Sequence, residues 1–349
     1  MTKDTKKKII WAFISIAIAA FCIFMVLRGA KGMSIGLLKS KLENSNPFLM
    51  LASALCMFGF IFFEALSMHA LLQGSSGYKK RKRYCITYAA ADVFVSAITP
   101  SASGGQPAAA FFMMLDGIPG TVSTVVLLIN LVMYTLAVVA AGLVALLIAP
   151  GQIMIFSRVS KRLILVGISI TLGLMILFWL ILKKGDIIFN FGIRAVDFMH
   201  DKLRMRFLIK HPEAKKAKIE KAREDYKECA RLMTGKKKEL LLSLLYNIGS
   251  RFSLTTVTPL VYVATTGDWA HFNNLWATQC LVAIGSNCAP IPGAMGVADA
   301  LMLDGLSSIM TEEETFSLEL LSRGMSFYLC VILAGAIMGI GFFIRRRKK

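Results

Sequence analysis

Continuous apolar runs are the feature that most constrains the fold of this chain. The 349 residues are 56% hydrophobic, and several runs are long enough to cross a hydrocarbon core about 30 Å thick, which takes roughly 20 helical residues. The runs lie at about 9–27, 47–72, 121–149, 163–182, 240–265 and 319–344. Because they are continuous rather than alternating, they exclude a soluble core and a β-barrel. The sequence therefore predicts a single, all-α polytopic membrane domain over 1–349.

Two short Gly/Pro-rich breaks interrupt the remaining apolar segments, 84–118 and 272–304. The first break reads TPSASGGQP at 99–107, and the second reads APIPGAMG at 289–296. Unwound backbone persists inside a bilayer only where protein or a water-filled cavity satisfies its amides and carbonyls. Each break therefore predicts a polar cavity, and two breaks in opposite halves of a chain are typical of a transport site.

Clusters of basic residues predict which segments face the cytoplasm. The sequence KKRKR at 79–83, the terminal RRRKK at 345–349 and the polar stretch 183–239 are all expected on that side. The stretch 183–239 carries seventeen Lys/Arg against nine Asp/Glu. Its first part has the pattern of a basic amphipathic helix at the inner surface, and its later part that of a solvated helix.

Counting from these cytoplasmic anchors predicts an inverted repeat. Segment 84–118 has both ends inside, and segment 272–304 has both ends outside. The order span, hairpin, span then occurs twice with opposite orientation, at 47–149 and at 240–344, and both termini are cytoplasmic. The predicted fold has about six full spans plus two re-entrant hairpins. The alternative is eight full spans, with each broken segment crossing through two short tilted helices.

The residues of the two breaks are the first candidates for contacts with a ligand. Hydroxyls and amides can hydrogen-bond, glycines let backbone amides approach a ligand, and prolines begin or end the half-helices. The candidates are Thr99, Ser101, Ser103, Gly104, Gly105 and Gln106 in the first break, and Asn287, Pro290, Pro292, Gly293 and Gly296 in the second. The alternative is that these residues only kink helices or allow close packing.

Ionisable residues inside the predicted membrane zone extend this candidate set. They are Glu64, Asp92, Arg251, Asp299 and Arg323. Each costs a few kcal/mol at the bilayer centre on insertion scales, so each needs a partner or water. Arg251 is the first choice for a phosphate, because its planar fork fits phosphate oxygens, and Glu64, Asp92 or Asp299 would take an amino group. The alternative is a set of internal ion pairs, such as Glu64 with Arg251, that fix helix packing.

Catalytic, metal and nucleic-acid signatures are not recognisable in the sequence. The four histidines show no metal-ligand spacing, and no nucleophile or phosphate-loop motif is found. The net charge of +19 is accounted for by membrane orientation and by attraction to anionic lipids, without a nucleic-acid partner. We therefore expect no catalytic residue, no metal and no cofactor.

Two longer strings resemble a known family. ITPSASGGQPAAAFFM and SNCAPIPGAMGVADALM, with SRGMSFYL near the end, look like the membrane domain of lysylphosphatidylglycerol synthetase/flippase proteins, and the resemblance covers essentially the whole chain. The family's first motif usually reads TPSGxGGEP or TPSGxGGQP, and its second PxPGGxGxxE. This chain departs from them at Ala102 and Ser103, and at Asp299, where a glutamate is usual. Arg323 matches a basic residue common near the start of the last span.

The resemblance implies flipping of a phospholipid between leaflets. The implied lipid is an aminoacylated or anionic phosphatidylglycerol of a bacterial plasma membrane, where flipping lowers surface negative charge and confers resistance to cationic peptides. Longer family members carry a cytoplasmic aminoacyltransferase domain, for which 345–349 leaves no room, so no transferase activity is expected of this chain alone. The alternatives are a phosphatidylglycerol lysyltransferase and its non-catalytic membrane partner. The expected partners are phospholipids, with a separate synthase and a second copy of the chain as further candidates.

Overall fold

The computed structural model describes residues 42–75, 78–99, 102–184, 235–286 and 296–346, together with residue 190 and scattered positions between 217 and 231. All regular structure in this part of the chain is helical. The helices are α1 Pro47–Gly74, α2 Lys82–Ile98, α3 Gly105–Leu115, α4 Gly120–Ile148, α5 Gln152–Ile155, α6 Arg158–Lys183, α7 Lys237–Thr266, α8 Phe272–Ser286, α9 Val297–Leu306, α10 Glu312–Arg323 and α11 Cys330–Arg346. A π-helical segment, Gly324–Leu329, joins α10 to α11.

Four of the described helices are long and apolar enough to cross a membrane. They are Pro47–Gly74, Gly120–Ile148, Arg158–Leu180 and the continuous helix Glu312–Arg345. The predicted spans at 47–72, 121–149, 163–182 and 319–344 fall on these four, so an all-α protein with several membrane helices is confirmed. The predicted span at 240–265 falls on the 30-residue α7, which is not among the four. The span at 9–27 lies outside the described residues, and the total number of spans stays a prediction.

Helices α1 and α7 form an antiparallel pair at the centre of the bundle. The backbone amide of Asn46 donates to the carbonyl of Ala264 (2.7 Å) at one end of the pair. Nearer the other end, the hydroxyls of Ser67 and Ser243 lie 2.7 Å apart. These two helices begin the two predicted repeats, and they run in opposite directions.

The two broken segments are both pairs of short packed helices. Helices α2 and α3 pack together, as do α8 and α9. At 1.5 Å per residue, even the 17-residue α2 is only about 26 Å long, which is shorter than a hydrocarbon core. The packing between the halves is reciprocal, because α2 lies against α11 while α8 lies against α4.

The ends of the two pairs lie at opposite ends of the bundle. Near the end of α1, the Lys80 ammonium, just before α2, donates to the carbonyl of Asp116, just after α3 (2.7 Å). Beyond the end of α4, the Gln152 amide donates to Thr278 on α8 and to the carbonyl of Gly305 on α9, both at 2.7 Å. Which of these ends faces the cytoplasm stays a prediction.

Part of the polar stretch after α6 docks onto this bundle. Tyr226 and Ala230 are buried in the same apolar cluster as Leu72, Cys85 and Val125, which come from α1, α2 and α4. This part of the stretch is therefore packed against the core, in contrast to the solvated helix that its charge pattern predicts.

Candidate functional site

The first break is closed by hydrogen bonds between its two flanking helices. The buried carboxylate of Asp92 on α2 accepts from the hydroxyl of Ser96 (3.1 Å) and from the side-chain amide of Gln106 on α3 (3.0 Å). A Cβ at position 105 would lie 2.0 Å from both Asp92 Oδ1 and Ser96 Oγ. Gly105 is therefore required for the close approach of α3 to α2.

The turn inside the first break is also held by side chains. Thr99 Oγ1 donates to the carbonyl of Val95 (2.7 Å) and accepts from the amide of Gly104 (3.0 Å). Ser103 is exposed at the tip of the turn. Thr99, Gly104, Gly105 and Gln106 thus all contribute to the closed hairpin, whereas Ser103 is accessible.

A cluster of three charged residues, on α9 and α10, lies just after the second break. Asp299 on α9 forms an ion pair with Arg323 at the end of α10, and its other oxygen accepts from the amide of Gly296 (2.8 Å). Arg323 also donates to Glu319 Oε1 from Nε (3.3 Å) and Nη2 (3.2 Å). The second oxygen of Glu319 is buried without a hydrogen-bond partner among the described residues. The candidates Ser101, Asn287, Pro290, Pro292 and Gly293 lie outside the described residues.

An irregular piece of helix follows this cluster directly. The π-helical segment Gly324–Leu329 starts after Arg323, and all six of its residues are half-buried. It packs against the central helices α1 and α7. Such segments weaken the regular hydrogen-bond ladder and occur frequently at functional sites. The charged cluster of the second break is therefore next to a deformable part of the last long helix.

Arg251 lies between two aromatic rings in the middle of the bundle. Its guanidinium carbon is 4.8 Å from the ring centre of Phe60 on α1 and 4.5 Å from that of Tyr134 on α4. Its Nη2 makes one long hydrogen bond to Ser250 (3.4 Å), and its buried Nε has no partner in the part of the chain that the structure describes. No ion pair between Arg251 and Glu64 is formed. The guanidinium of Arg251 lies beside Phe60, one helical turn away from Glu64 on α1. Its two terminal nitrogens therefore remain available to bind an anion.

A layer of polar side chains joins α1, α4 and α7 one turn away from Arg251. Glu64 Oε1 accepts from the side-chain amide of Asn130 (2.7 Å), and Asn130 Oδ1 accepts from the hydroxyl of Ser67 (2.5 Å). The side-chain amide of Asn247 donates to Ser67 (2.7 Å), which also contacts Ser243. Sequence reasoning selected only Glu64. Asn130 and Asn247 are single amide side chains within long helices, and this pattern could have indicated the rest of the polar layer.

Sequence reasoning also missed an ion pair between the first hairpin and the last helix. Asp116, at the end of α3, accepts from Arg345 Nε (2.8 Å) and Nη2 (2.7 Å), and from the hydroxyl of Tyr88 (2.6 Å). The Arg345 guanidinium lies within 6 Å of the ring centres of Tyr84, Tyr88 and Phe112. Both basic clusters of the sequence therefore contact Asp116. Arg345 of 345–349 pairs with its carboxylate, and Lys80 of 79–83 donates to its carbonyl.

Comparison with known proteins identifies one family. The family described as the lysylphosphatidylglycerol synthase TM region matches residues 12–334. This range includes both breaks, the polar layer, Arg251 and Arg323. No curated protein and no solved structure matches the chain.

Proposed function

The chain belongs to the lysylphosphatidylglycerol synthase TM-region family, and from this premise we propose that it moves a phospholipid between the two leaflets of a bacterial plasma membrane. Membership supports a lipid-related function in a membrane. Movement of the headgroup is the finer proposal, and the observation that carries it is the environment of Arg251. A half-buried guanidinium that no described carboxylate contacts by a hydrogen bond or ion pair is suited to bind a phosphate.

The aromatic rings around Arg251 help it to serve as a transient binding group. Stacking on Phe60 and Tyr134 holds the planar guanidinium in place without using its hydrogen-bond donors. A phosphate that reaches this level can then accept two parallel hydrogen bonds from the fork. The rings carry no charge and do not occupy the hydrogen-bond donors of the guanidinium. A phosphate can therefore bind Arg251 without first displacing a carboxylate from it.

The balance of charge favours a headgroup that carries amino groups. Among the described residues, the polar layer, the Arg251 level and the clusters at the two breaks hold four carboxyl groups but only two guanidinium groups, those of Arg251 and Arg323; the pair of Asp116 and Arg345 lies apart from them and is balanced. The carboxyl groups are those of Glu64, Asp92, Asp299 and Glu319. An aminoacylated phosphatidylglycerol brings ammonium groups together with its phosphate, and thus complements both signs. We propose that Asp299 and Glu319 contact the amino groups while the acyl chains stay in lipid.

The two short helix pairs support a path between them. The chain ends of the two pairs lie at opposite ends of the bundle, and each pair packs against the other half, as in transporters built from inverted repeats. In our proposal they are the two re-entrant hairpins, and the headgroup passes between them. Export of an aminoacylated lipid would lower the negative charge of the outer surface, which is the basis of the proposed resistance to cationic peptides.

Reconstitution into liposomes tests the proposal directly. The assay measures how fast labelled phosphatidylglycerol and its lysyl derivative become accessible in the opposite leaflet, with purified wild-type protein, Arg251→Gln and Asp299→Asn. We expect faster movement with wild type, and a loss of this acceleration in both variants. The exposed Arg162 on α6 provides the matched control Arg162→Gln.

Each failure in this assay has its own meaning. No acceleration by well-folded wild-type protein with either lipid would contradict the transport proposal. Conversion of labelled phosphatidylglycerol by the purified chain would instead establish a transferase. Unchanged movement after Arg251→Gln and Asp299→Asn would overturn the assignment of the binding residues.

A further inference from the structure

Three buried polar residues lie along one face of α10. They are Thr315, Glu319 and Ser322, which are 1%, 7% and 4% exposed. Each has a side-chain oxygen that no described residue contacts by a hydrogen bond, namely Thr315 Oγ1, Glu319 Oε2 and Ser322 Oγ. Residues at positions i, i+4 and i+7 share one face of an α-helix, with one turn between neighbours. We call these three residues the α10 stripe.

The two hydroxyl groups of the α10 stripe do not use the partner that a helix offers them. A buried serine or threonine in a helix can donate to the backbone carbonyl one turn earlier. Ser317, fully buried on the opposite side of α10, donates in this way to Glu313 (2.8 Å), and Thr278 on α8 donates to its own helix as well. Thr315 and Ser322 form no such bond, so their hydroxyl groups are free to contact a ligand.

Glu319 adds a negative charge to the α10 stripe. Its Oε1 accepts from Arg323, which also pairs with Asp299, so one guanidinium serves two carboxyl groups. Its Oε2 faces away from this arrangement and has no partner in the described part of the chain. A cation at Oε2 would balance the second carboxyl group. The α10 stripe therefore fits a positively charged ligand that carries hydrogen-bond donors.

The spacing of the α10 stripe favours an ammonium group over a metal ion. Thr315 and Ser322 are about 10.5 Å apart along the helix axis, whereas metal–oxygen bonds are about 2–2.6 Å long, so one ion cannot contact both. Glu319 with either hydroxyl supplies only two side-chain oxygens. A primary ammonium has three N–H donors and can bond to a carboxylate and a hydroxyl together. A quaternary ammonium, as in choline, has no N–H donor to offer.

The ends of the α10 stripe connect it to the protein surface and to the charged cluster. Thr315 follows the exposed acidic first turn Glu312–Glu314, which attracts cations to this end of α10. Ser322 directly precedes Arg323 and the π-helical segment. The stripe thus leads from an exposed acidic surface to the pair of Arg323 and Asp299.

We propose that the α10 stripe binds the primary ammonium group of the lipid headgroup, with Glu319 Oε2 as the charged acceptor and the hydroxyls of Thr315 and Ser322 as specificity-determining acceptors. The ammonium donates to Glu319 and to the hydroxyl oxygen one turn before or after it. The stripe therefore selects primary amines over quaternary ones. Its place on the path of the lipid rests on the proposed transport function, whereas binding of the ammonium does not.

Thermal unfolding in detergent with two matched short-chain lipids tests the binding without any transport assay. Dihexanoyl phosphatidylethanolamine and dihexanoyl phosphatidylcholine differ only in the methyl groups on the nitrogen. We expect the ethanolamine lipid to raise the unfolding temperature of wild type more than the choline lipid does. Thr315→Val combined with Ser322→Ala should abolish this difference. Ser317→Ala, which removes a buried hydroxyl from the same helix, is the matched control and should keep it.

The unfolding temperature without lipid separates a binding role of the stripe from a structural one. Thr315→Val keeps the shape of the side chain and removes a hydroxyl that has no partner, so this variant should unfold at or above the temperature of wild type. A clearly lower unfolding temperature of Thr315→Val overturns the proposal, as does an ethanolamine preference that survives the combined variant. An equal effect of sodium chloride or of free ethanolamine on wild type would assign the stripe to an inorganic cation or to a soluble amine, and overturns it as well.

The liposome assay then tests the place of the α10 stripe on the lipid path. The combined variant should slow the movement of lysylphosphatidylglycerol and leave that of phosphatidylglycerol, which has no amino group, unchanged. Equal effects on both lipids, or no effect on the lysyl derivative, overturn this placement. If wild type moves neither lipid, the transport function fails, and the unfolding experiment still decides whether the stripe binds a primary ammonium.

Discussion

Replacement of Asp116 by asparagine should separate the end of the first hairpin from the last helix. Asp116 and Arg345 are 229 residues apart in sequence, and their side chains are only 8% and 13% exposed. Asp116→Asn keeps the size of the side chain but removes its charge. Arg345 then loses its partner while it remains enclosed by the rings of Tyr84, Tyr88 and Phe112.

The expected cost of Asp116→Asn follows from burial and geometry. Removing one partner of a buried ion pair costs about 3–5 kcal/mol, because the remaining charge is left uncompensated. Arg345 lies in the last turn of α11, where water has some access, so the lower end of this range applies. We expect Asp116→Asn to lower the free energy of unfolding by about 3 kcal/mol, which raises the unfolding equilibrium constant about a hundredfold.

A double-mutant cycle in detergent measures this ion pair. Unfolding of wild type, Asp116→Asn, Arg345→Gln and the double variant is followed by circular dichroism, with the exposed Arg162→Gln as control. The double variant should lose less free energy of unfolding than the two single variants lose together, since each single change already removes the same ion pair. Single variants within about 0.5 kcal/mol of wild type, as is usual for surface substitutions, would refute the reasoning.

Two further changes test other parts of the structure. Gly105→Ala should destabilise the protein by about 1–3 kcal/mol, because the added Cβ meets Asp92, whereas Gly173→Ala, whose Cβ would have no atom of the described residues within 4 Å, should not. Thermal unfolding of both variants distinguishes a required close contact from an ordinary helical glycine. Asp268, in the loop after α7, has its pKa held below the usual range by hydrogen bonds from the Ala270 amide and the Tyr262 hydroxyl. Asp268→Asn should therefore lower the thermal stability at neutral pH, and the difference should vanish as the pH falls through that lowered pKa; a pH-independent difference would contradict this.

Local signals were sufficient to predict the long helices and the place of the first break. Helix α1 begins at Pro47, where Asn46 caps the first turn, and its apolar run continues to Gly74. The first break separates α2 from α3 because Gly104 and Gly105 allow the tight return of the chain. These features depend on neighbouring residues, which a sequence displays directly.

The partners of the polar residues could not be predicted in the same way. Glu64 bonds to Asn130, Asp116 pairs with Arg345, and each contact depends on how distant helices pack. The sequence left an ion pair between Glu64 and Arg251 open as an alternative. In the structure this pair is not formed, because Arg251 lies one helical turn away from Glu64. Glu319 did have a local signal, since an acid four residues before Arg323 lies on the same helix face.

If the proposed transport takes place, hydrogen bonds at both ends of the first hairpin limit how the path for the headgroup opens. The bond from Gln106 to Asp92 ties α3 to α2, so the two helices move together. The ion pair of Asp116 ties the other end of α3 to α11. Movement of the hairpin must therefore break this ion pair or carry α11 with it. The π-helical segment Gly324–Leu329 lies between α11 and Arg323, and a shift in its hydrogen-bond register would let α11 follow the hairpin while Arg323 stays paired with its acids.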